Sequence, residues 1–380
     1  MENPIVSKIF IMGLNAKSGG GKSILNNYLA LLAESNLDDQ YFVLTPNKSD
    51  YIKYSNENII IVDISNIFKK LYMVYFRYEF VLPRLIRTLN IDLIINLSDV
   101  PIKAKGIKQI FLFDWPYAVY PESIVWKKMD LISFIERKIK ISFFVKYLSY
   151  ISLMVAQTKT VKKRLEEQYN LDAIEILPNA VSIDNMSGGE RKDFQLPNGK
   201  KLLLLSVYYP HKNFEILLPL AKKIKDQGLD YKIIITIEES QHRKVKGFLN
   251  TITTKGLQDI IINIGPVKMQ NIPSLYQQCD ALLLPTLLES FSGTYVEAMF
   301  HRIPIFTSNL DFAIDVCQDA AFYFDPSDHN SILHCLNEAF STNGLIESKV
   351  ITGQNVLKSL LSWQAVLQKL TFLIKAENER

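Results

Sequence analysis

Long apolar runs are missing from these 380 residues. A membrane-spanning helix needs roughly 20 consecutive apolar residues, and the best candidate, Ile139 to Val155, is broken by Lys140 and Lys146. No spanning helix is expected. Cysteine is scarce as well. Cys279, Cys317 and Cys335 are widely spaced with no Cys-x-x-Cys, which suits a reducing compartment, offers no zinc pattern and points to inert core thiols. The five histidines include no His-x-x-x-His pair, so a catalytic metal held by the protein has no support. The opening Met-Glu-Asn-Pro runs straight into Ile5 to Met12, a pattern too short and too quickly interrupted for a secretory leader. The expected location is cytoplasmic.

What the chain does contain is core-forming sequence, 48% apolar and 22% charged. That composition is globular, and the length suggests two domains. Short β-branched runs alternate with helix-length amphipathic segments almost throughout, the signature of parallel sheets covered on both faces. Strands are expected at Lys8–Gly13, Tyr41–Thr45, Ile59–Ile64, Leu93–Leu97, Gln109–Phe113, Leu153–Thr158 and Ile174–Pro178. After a polar, turn-rich stretch they resume at Leu202–Val207, Lys232–Ile237, Ile261–Gly265, Ala281–Leu284, Ile303–Thr307 and Ala321–Phe324. The fold class is therefore α/β, two Rossmann-like doubly wound domains whose strand ends are expected to face across a cleft. The boundaries read 1–185, a linker 186–200, 201–362, and a terminal helix 363–380 expected to cross back to the first domain. Basic residues cluster between Lys103 and Arg164 among Phe134, Phe143, Phe144, Tyr147 and Tyr150. That pattern reads equally as a solvated helical face or as a surface for anionic lipid.

The most informative stretch follows the run Ala281–Leu284. From Pro285 it continues to Glu289-Ser290-Phe291-Ser292-Gly293-Thr294-Tyr295-Val296-Glu297. A Gly-containing turn that opens a helix presents backbone N–H groups without internal partners and a partial positive charge, which suits a diphosphate. Glu297, one turn later, can accept hydrogen bonds from both hydroxyls of a ribose, and Glu289 can reach the sugar beyond the phosphates. The stretch resembles the Glu-(seven residues)-Glu motif of glycosyltransferase family 4, the retaining group 1 enzymes of GT-B fold. The flanks Gly265-Pro266-Val267, Leu275 to Ala281, His301 to Ile305 and Asp319 to Pro326 resemble that family in the same order. The resemblance implies that Glu297 binds the nucleotide ribose, that Glu289 contacts the transferred sugar, and that Ser292, Gly293 and Thr294 hold the distal phosphate. The segment Ser206 to Asn213 resembles the family's diphosphate grip. Lys212 matches its lysine, whereas Val207 or a neighbour occupies the place of its arginine, leaving His211 or Arg302 as substitutes.

In the first half, Ala16-Lys17-Ser18-Gly19-Gly20-Gly21-Lys22-Ser23 lies between the first strand and the first helix. Gly20 and Gly21 are candidates for close backbone approach to the donor, with Lys22 as a helper. The same Gly-Lys-Ser, with Asp63 ending an apolar run, also reads as a P-loop ATPase, although Ala16 stands where such a loop has glycine. Asp114, after Gln109–Phe113, replaces a family histidine and is an acceptor-side candidate. Pro178-Asn179-Ala180-Val181 resembles the family's domain-end segment.

The resemblance thus implies a hexosyl transfer from a nucleotide-diphosphate sugar to a saccharide or lipid-linked saccharide. It implies no cofactor and no required metal, no nucleic-acid partner, and a place at the inner membrane face in cell-surface polysaccharide synthesis. A P-loop ATPase, a non-catalytic nucleotide-sugar-binding protein and an isomerase on the same scaffold remain as alternatives.

Overall fold

The structure, a computed structural model, describes residues 7–16, 19–35, 39–178 and 191–379. The chain divides into two compact units, one of Met1–Val119, Asp130–Asn179 and Trp363–Arg380, the other of Tyr120–Met129 and Ala180–Ser362. Residues 186–190 of the expected linker and Asn179 to Val181 lie outside the described residues.

In the first unit the apolar runs become seven strands: β1 (Lys8–Met12), β2 (Gln40–Leu44), β3 (Ile59–Val62), β4 (Leu93–Asn96), β5 (Lys108–Phe113), β6 (Leu153–Ala156) and β7 (Ile174–Ile176). They pair in parallel in the order β3-β2-β1-β4-β5-β6-β7. The direction of winding reverses between β1 and β4, the topological switch at which doubly wound sheets bind ligands. Helix α1 (Gly19–Glu34) leaves β1 at that point and buries Leu25, Tyr28 and Leu29. Helix α2 (Leu131–Tyr147) is capped by the Asp130 carboxylate, which accepts from the Ser133 amide at 2.9 Å. It buries Phe144 against Phe111 and Phe113 of β5. The last helix, Trp363–Glu379, packs on this unit through Val366, Leu367, Leu370, Leu373 and Ile374, and Lys369 donates to the Ile176 carbonyl at 2.8 Å.

The second unit holds β8 (Lys200–Leu204), β9 (Tyr231–Ile235), β10 (Ile261–Asn263), β11 (Ala281–Leu284), β12 (Ile305–Ser308) and β13 (Ala321–Phe324). Their order, β10-β9-β8-β11-β12-β13, repeats the winding of the first sheet, again all parallel. Helix α3 (Gly293–Phe300) follows β11 across its switch point.

All thirteen expected strands are present. Parallel strands covered on both faces are continuous apolar runs, and that makes them easy to read. Two expectations need correction. The segment Tyr120–Met129, inside the range 1–185, packs with the second unit: the Tyr120 hydroxyl donates to Asp311 at 3.0 Å and its ring meets Phe312 at 6.1 Å. Phe144 and Tyr147, named among the aromatics of a lipid-facing surface, are core residues. Asp63 follows the edge strand β3, two strand spacings and so about 10 Å from β1, and it pairs with Lys69 at 2.6 Å. The Gly-rich segment follows β1, on the other side of β2 from Asp63. That segment is itself helical from Gly19.

Candidate functional site

The site candidates of the second unit sit on the connections that follow β8 and β11, neighbouring strands of its sheet. After β8 the chain makes a tight turn, Pro210–Lys212, and Asn213 takes the left-handed conformation, φ 59°. Asparagine tolerates that region better than most residues. Its side chain is fully buried. The amide nitrogen donates to the carbonyls of Pro285 at 3.1 Å and Pro326 at 2.8 Å, while the amide oxygen accepts from the Lys128 ammonium at 2.6 Å. The Leu287 amide donates to the His211 carbonyl at 2.7 Å, and the Thr286 hydroxyl does so at 3.1 Å. The two connections are thereby locked to one another, and Lys212 is presented from a rigid turn. Lys128 comes from the segment 120–129, and burial pushes its ammonium below the usual lysine range.

The loop after β11 is buried throughout Pro285–Ser290. Within it Glu289 forms an ion pair with Lys212 and accepts from the Thr286 hydroxyl at 3.0 Å. Only 13% and 11% of the two side chains remain exposed, so the pair sits in low dielectric, where charge interactions are strong and solvent screening is weak. Ser292 precedes α3 in extended conformation and makes no side-chain cap, its hydroxyl bonding instead to that of Thr294 at 2.7 Å. The first amides of α3, from Gly293, thus have the positive partial charge of a helix start without a serine oxygen over them. Glu297 lies one turn on and accepts from the Tyr276 hydroxyl at 2.9 Å. Burial raises its carboxyl above the usual range, with Tyr276 acting in the opposite direction. Tyr276 in turn stacks on His301, ring centroids 4.8 Å apart, and burial keeps the His301 imidazole below its ordinary value and hence toward its neutral form.

One proposed substitute for the missing arginine, Arg302, does not stand at the helix start. Arg302 lies beyond the C-terminal end of α3, exposed, with φ 59°. The eight residues of α3 place it about 12 Å along the axis from Gly293. His211 stacks on Tyr209 at 5.3 Å. Val207, with 38% of its surface exposed, offers no charge.

The first-half candidates belong to the first unit. Gly20 and Gly21 lie in the first turn of α1, and Asp114 directly follows β5. A Cβ built on Gly21 would lie 3.7 Å from the Asp114 carboxylate and 3.8 Å from the Ala16 Cα, so these two candidates are neighbours and an alanine would fit. Asp114 is pushed up to about 7 by burial, then by the Asp99 carboxylate, with Lys140 opposing. Lys140 is itself engaged with Asp99 at 2.6 Å. Among the described residues no cluster of His, Cys, Asp and Glu could hold a metal ion, and no helix is long and apolar enough to cross a membrane.

Sequence reading assigned no role to Thr286, Tyr276 or Asn213. The position of Asn213, directly after the lysine and at a turn, was the available signal for the last. Nothing local marks the other two.

Residues 189–355 match the family described as glycosyl transferases group 1. The O-antigen chain mannosyltransferase RfbU of Salmonella typhimurium is 25% identical over 176 residues, 45% of this chain and 46% of that protein. The capsular polysaccharide biosynthesis glycosyltransferase CapM of Staphylococcus aureus is 24% identical over 212 residues, 51% of this chain and 55% of that one. The chain thus spans about half the length of the curated relatives it matches. Among solved structures, Anabaena HepE in complex with UDP and glucose superposes with a TM-score of 0.71 at 14% identity, covering 97% of this chain and 100% of that one. At such identity the likeness is one of fold, the GT-B arrangement of two Rossmann-like units. Residues 189–355 are thus similar in sequence to glycosyl transferases group 1, and the chain shares its fold with solved GT-B glycosyltransferases.

Proposed function

We propose that this chain is a retaining glycosyltransferase that moves a hexosyl group from a nucleotide-diphosphate sugar to a saccharide or lipid-linked saccharide, in the synthesis of a cell-surface polysaccharide. The observation that carries the reading is the buried Lys212–Glu289 pair on a domain whose helix start at Gly293 and carboxylate at Glu297 follow within one turn. In this reading the amides at Ser292, Gly293 and Thr294 take the distal phosphate, Glu297 takes the ribose hydroxyls and Glu289 orients the sugar. The bond from the anomeric carbon to the diphosphate breaks as the acceptor oxygen bonds to the same face of that carbon. The acceptor proton ends on the released diphosphate. Charge accumulates on the departing phosphate oxygen, and Lys212 with the helix start would stabilise it there, the kind of preorganised electrostatics that dominates such steps.

Relatives named for O-antigen and capsule synthesis support the polysaccharide setting, and the solved complex with UDP and glucose supports a nucleotide-diphosphate donor. Gly20 and Gly21, on the first unit, are assigned to the donor, and Asp114, beside Gly21, is assigned to the acceptor side. With a lysine and a helix dipole supplying positive charge, the reaction is assigned no metal and no cofactor. The working location is cytoplasmic, at the inner membrane face. The uncharged Val207 at the place of the family arginine favours one rival, a protein that binds nucleotide sugars without turning them over.

Thermal shift against UDP, GDP, ADP, CMP and ATP, with and without Mg²⁺, tests the site, and release of nucleoside diphosphate from the matching sugar donor tests turnover. Stabilisation by one diphosphate that survives EDTA and disappears in Glu297→Ala is the expected result. Stabilisation by ATP that requires Mg²⁺ and disappears in Lys22→Ala would overturn it. Binding without product release would leave the non-catalytic rival standing.

A further inference from the structure

The first unit carries an apolar face that none of the chemistry above uses. On α2, Ile132, Ile135, Ile139 and Phe143 recur at intervals of three, four and four, and so lie along one side of the helix. Phe144 turns into the core, and half-buried Phe143 stacks on buried Tyr147 at 5.9 Å, where the stripe meets the core edge. A helix buried by one face normally turns polar residues outward. Here Ile132, Ile135 and Ile139 are exposed, the first of them by 61%. The stripe leads to a second apolar group. Phe143 meets Tyr75 at 6.1 Å, Tyr75 meets Phe80 at 6.3 Å, and Phe80 meets Phe76 at 4.9 Å. Tyr75, Phe76 and Phe80 are each about half exposed and Tyr72 is 75% exposed. Tyr72, Tyr75 and Phe76 precede, and Phe80 lies within, a π-helical turn, Arg77–Val81, a local widening of the kind often found at functional positions. A contiguous exposed patch of this type marks an interaction surface.

The charge around the patch selects its partner. Residues 66–88 and 131–147 contain nine Lys and Arg against two Glu; of the nine, Arg77 is buried and Lys69 and Lys140 pair with Asp63 and Asp99 outside those ranges. Lys70, Arg84, Arg87 and Lys138 are exposed, and the Lys146 ammonium lies over the Tyr75 ring at 5.7 Å. One of the two acids, Glu79, is covered by Lys103, Lys146 and Tyr147, and their hydrogen bonds hold its carboxyl down at about 2. It therefore stays fully compensated. A second copy of the chain on the same face would bring two basic surfaces together, which opposes a symmetric dimer there. Exposed isoleucine and aromatic side chains interleaved with Lys and Arg match an anionic lipid surface instead, apolar groups at the acyl boundary and cations at the phosphates.

We propose that this face, the outer side of α2 together with Tyr72, Tyr75, Phe76 and Phe80, docks on an anionic bilayer. The proposal stands on exposure, ring contacts and charge, independently of the transferase reading.

The test is sedimentation of the full chain with vesicles of phosphatidylcholine alone and of phosphatidylcholine with phosphatidylglycerol. Binding is expected only with the anionic vesicles and is weakened by salt. Lys70→Glu with Lys138→Glu should lower it roughly fivefold or more per charge. Tyr72→Ser, Phe76→Ser and Phe80→Ser together should lower it at least about tenfold. All these positions are exposed, and unchanged circular dichroism would confirm that the variants fold. Failure of the parent chain to sediment with anionic vesicles overturns the proposal, as does equal sedimentation of a folded triple variant. A dimer on gel filtration that the three serines convert to monomer would reassign the face to self-association. Loss of nucleoside-diphosphate binding with intact sedimentation would sink the transferase reading alone.

Discussion

Replacing Lys212 by methionine keeps the stem and removes the charge. In the parent protein the Glu289 carboxylate has the Lys212 ammonium and the Thr286 hydroxyl, the latter at 3.0 Å, and both ionic side chains are close to nine-tenths buried. The variant would leave a buried carboxylate with one neutral donor. Removing one member of a buried pair costs about 3–5 kcal/mol. The small residual exposure and the Thr286 bond place this case near about 3 kcal/mol. By contrast, Lys222 and Asp226, with 66% and 57% of their side chains exposed, should be worth less than about 0.5 kcal/mol. Urea unfolding of Lys212→Met, Glu289→Gln and the double variant closes the cycle. The double variant should recover much of the loss, because no orphaned charge remains, giving a coupling of about 2 kcal/mol. Turnover measured by nucleoside-diphosphate release should fall about 10²–10³-fold in Lys212→Met, the usual scale for removing one preorganised charge-stabilising group. An unfolding midpoint and a turnover both equal to the parent's would refute the pair as a buried, functional element.

Tyr276→Phe removes the one interaction that lowers the raised Glu297 carboxyl. If ribose hydroxyls need an ionised acceptor, nucleoside-diphosphate affinity should fail at a higher pH in this variant than in the parent as pH is lowered, measured by calorimetric titration. Asp114 is raised from 3.8 to about 7 in the folded chain, so the fold holds a proton that the unfolded chain releases, and its contribution to stability is lost as pH rises through that window. Asp114→Asn should flatten this decline and be the more stable protein above pH 7, as read from urea midpoints; a parallel pH profile in the two proteins would contradict the shift. Asn213→Ala removes two donated bonds and one accepted from a buried ammonium and should cost roughly 3 kcal/mol. Asn213→Gly, which suits φ 59° but makes none of the bonds, should lose slightly less in the same thermal scan.

The division between what was legible and what was not follows the range of each interaction. Thirteen strands and the helix start at Gly293 could be read because each depends on a few neighbouring residues: an apolar run, a glycine at a turn, a change of period. The pairing of Lys212 with Glu289, 77 positions apart, depends on β8 lying beside β11, and strand order leaves no mark in any local window. The same is true of Tyr276 against Glu297, of Asn213 reaching both Pro285 and Pro326, and of the packing of Tyr120–Met129 with the second unit. On α2 both faces are apolar, so periodicity could not say which would be buried. The sheet settled that by offering Phe111 and Phe113 to Phe144, leaving the isoleucines outside. Local chemistry determines which elements form; which side chains they bring together is decided by long-range packing, where each contact is between residues far apart in the chain.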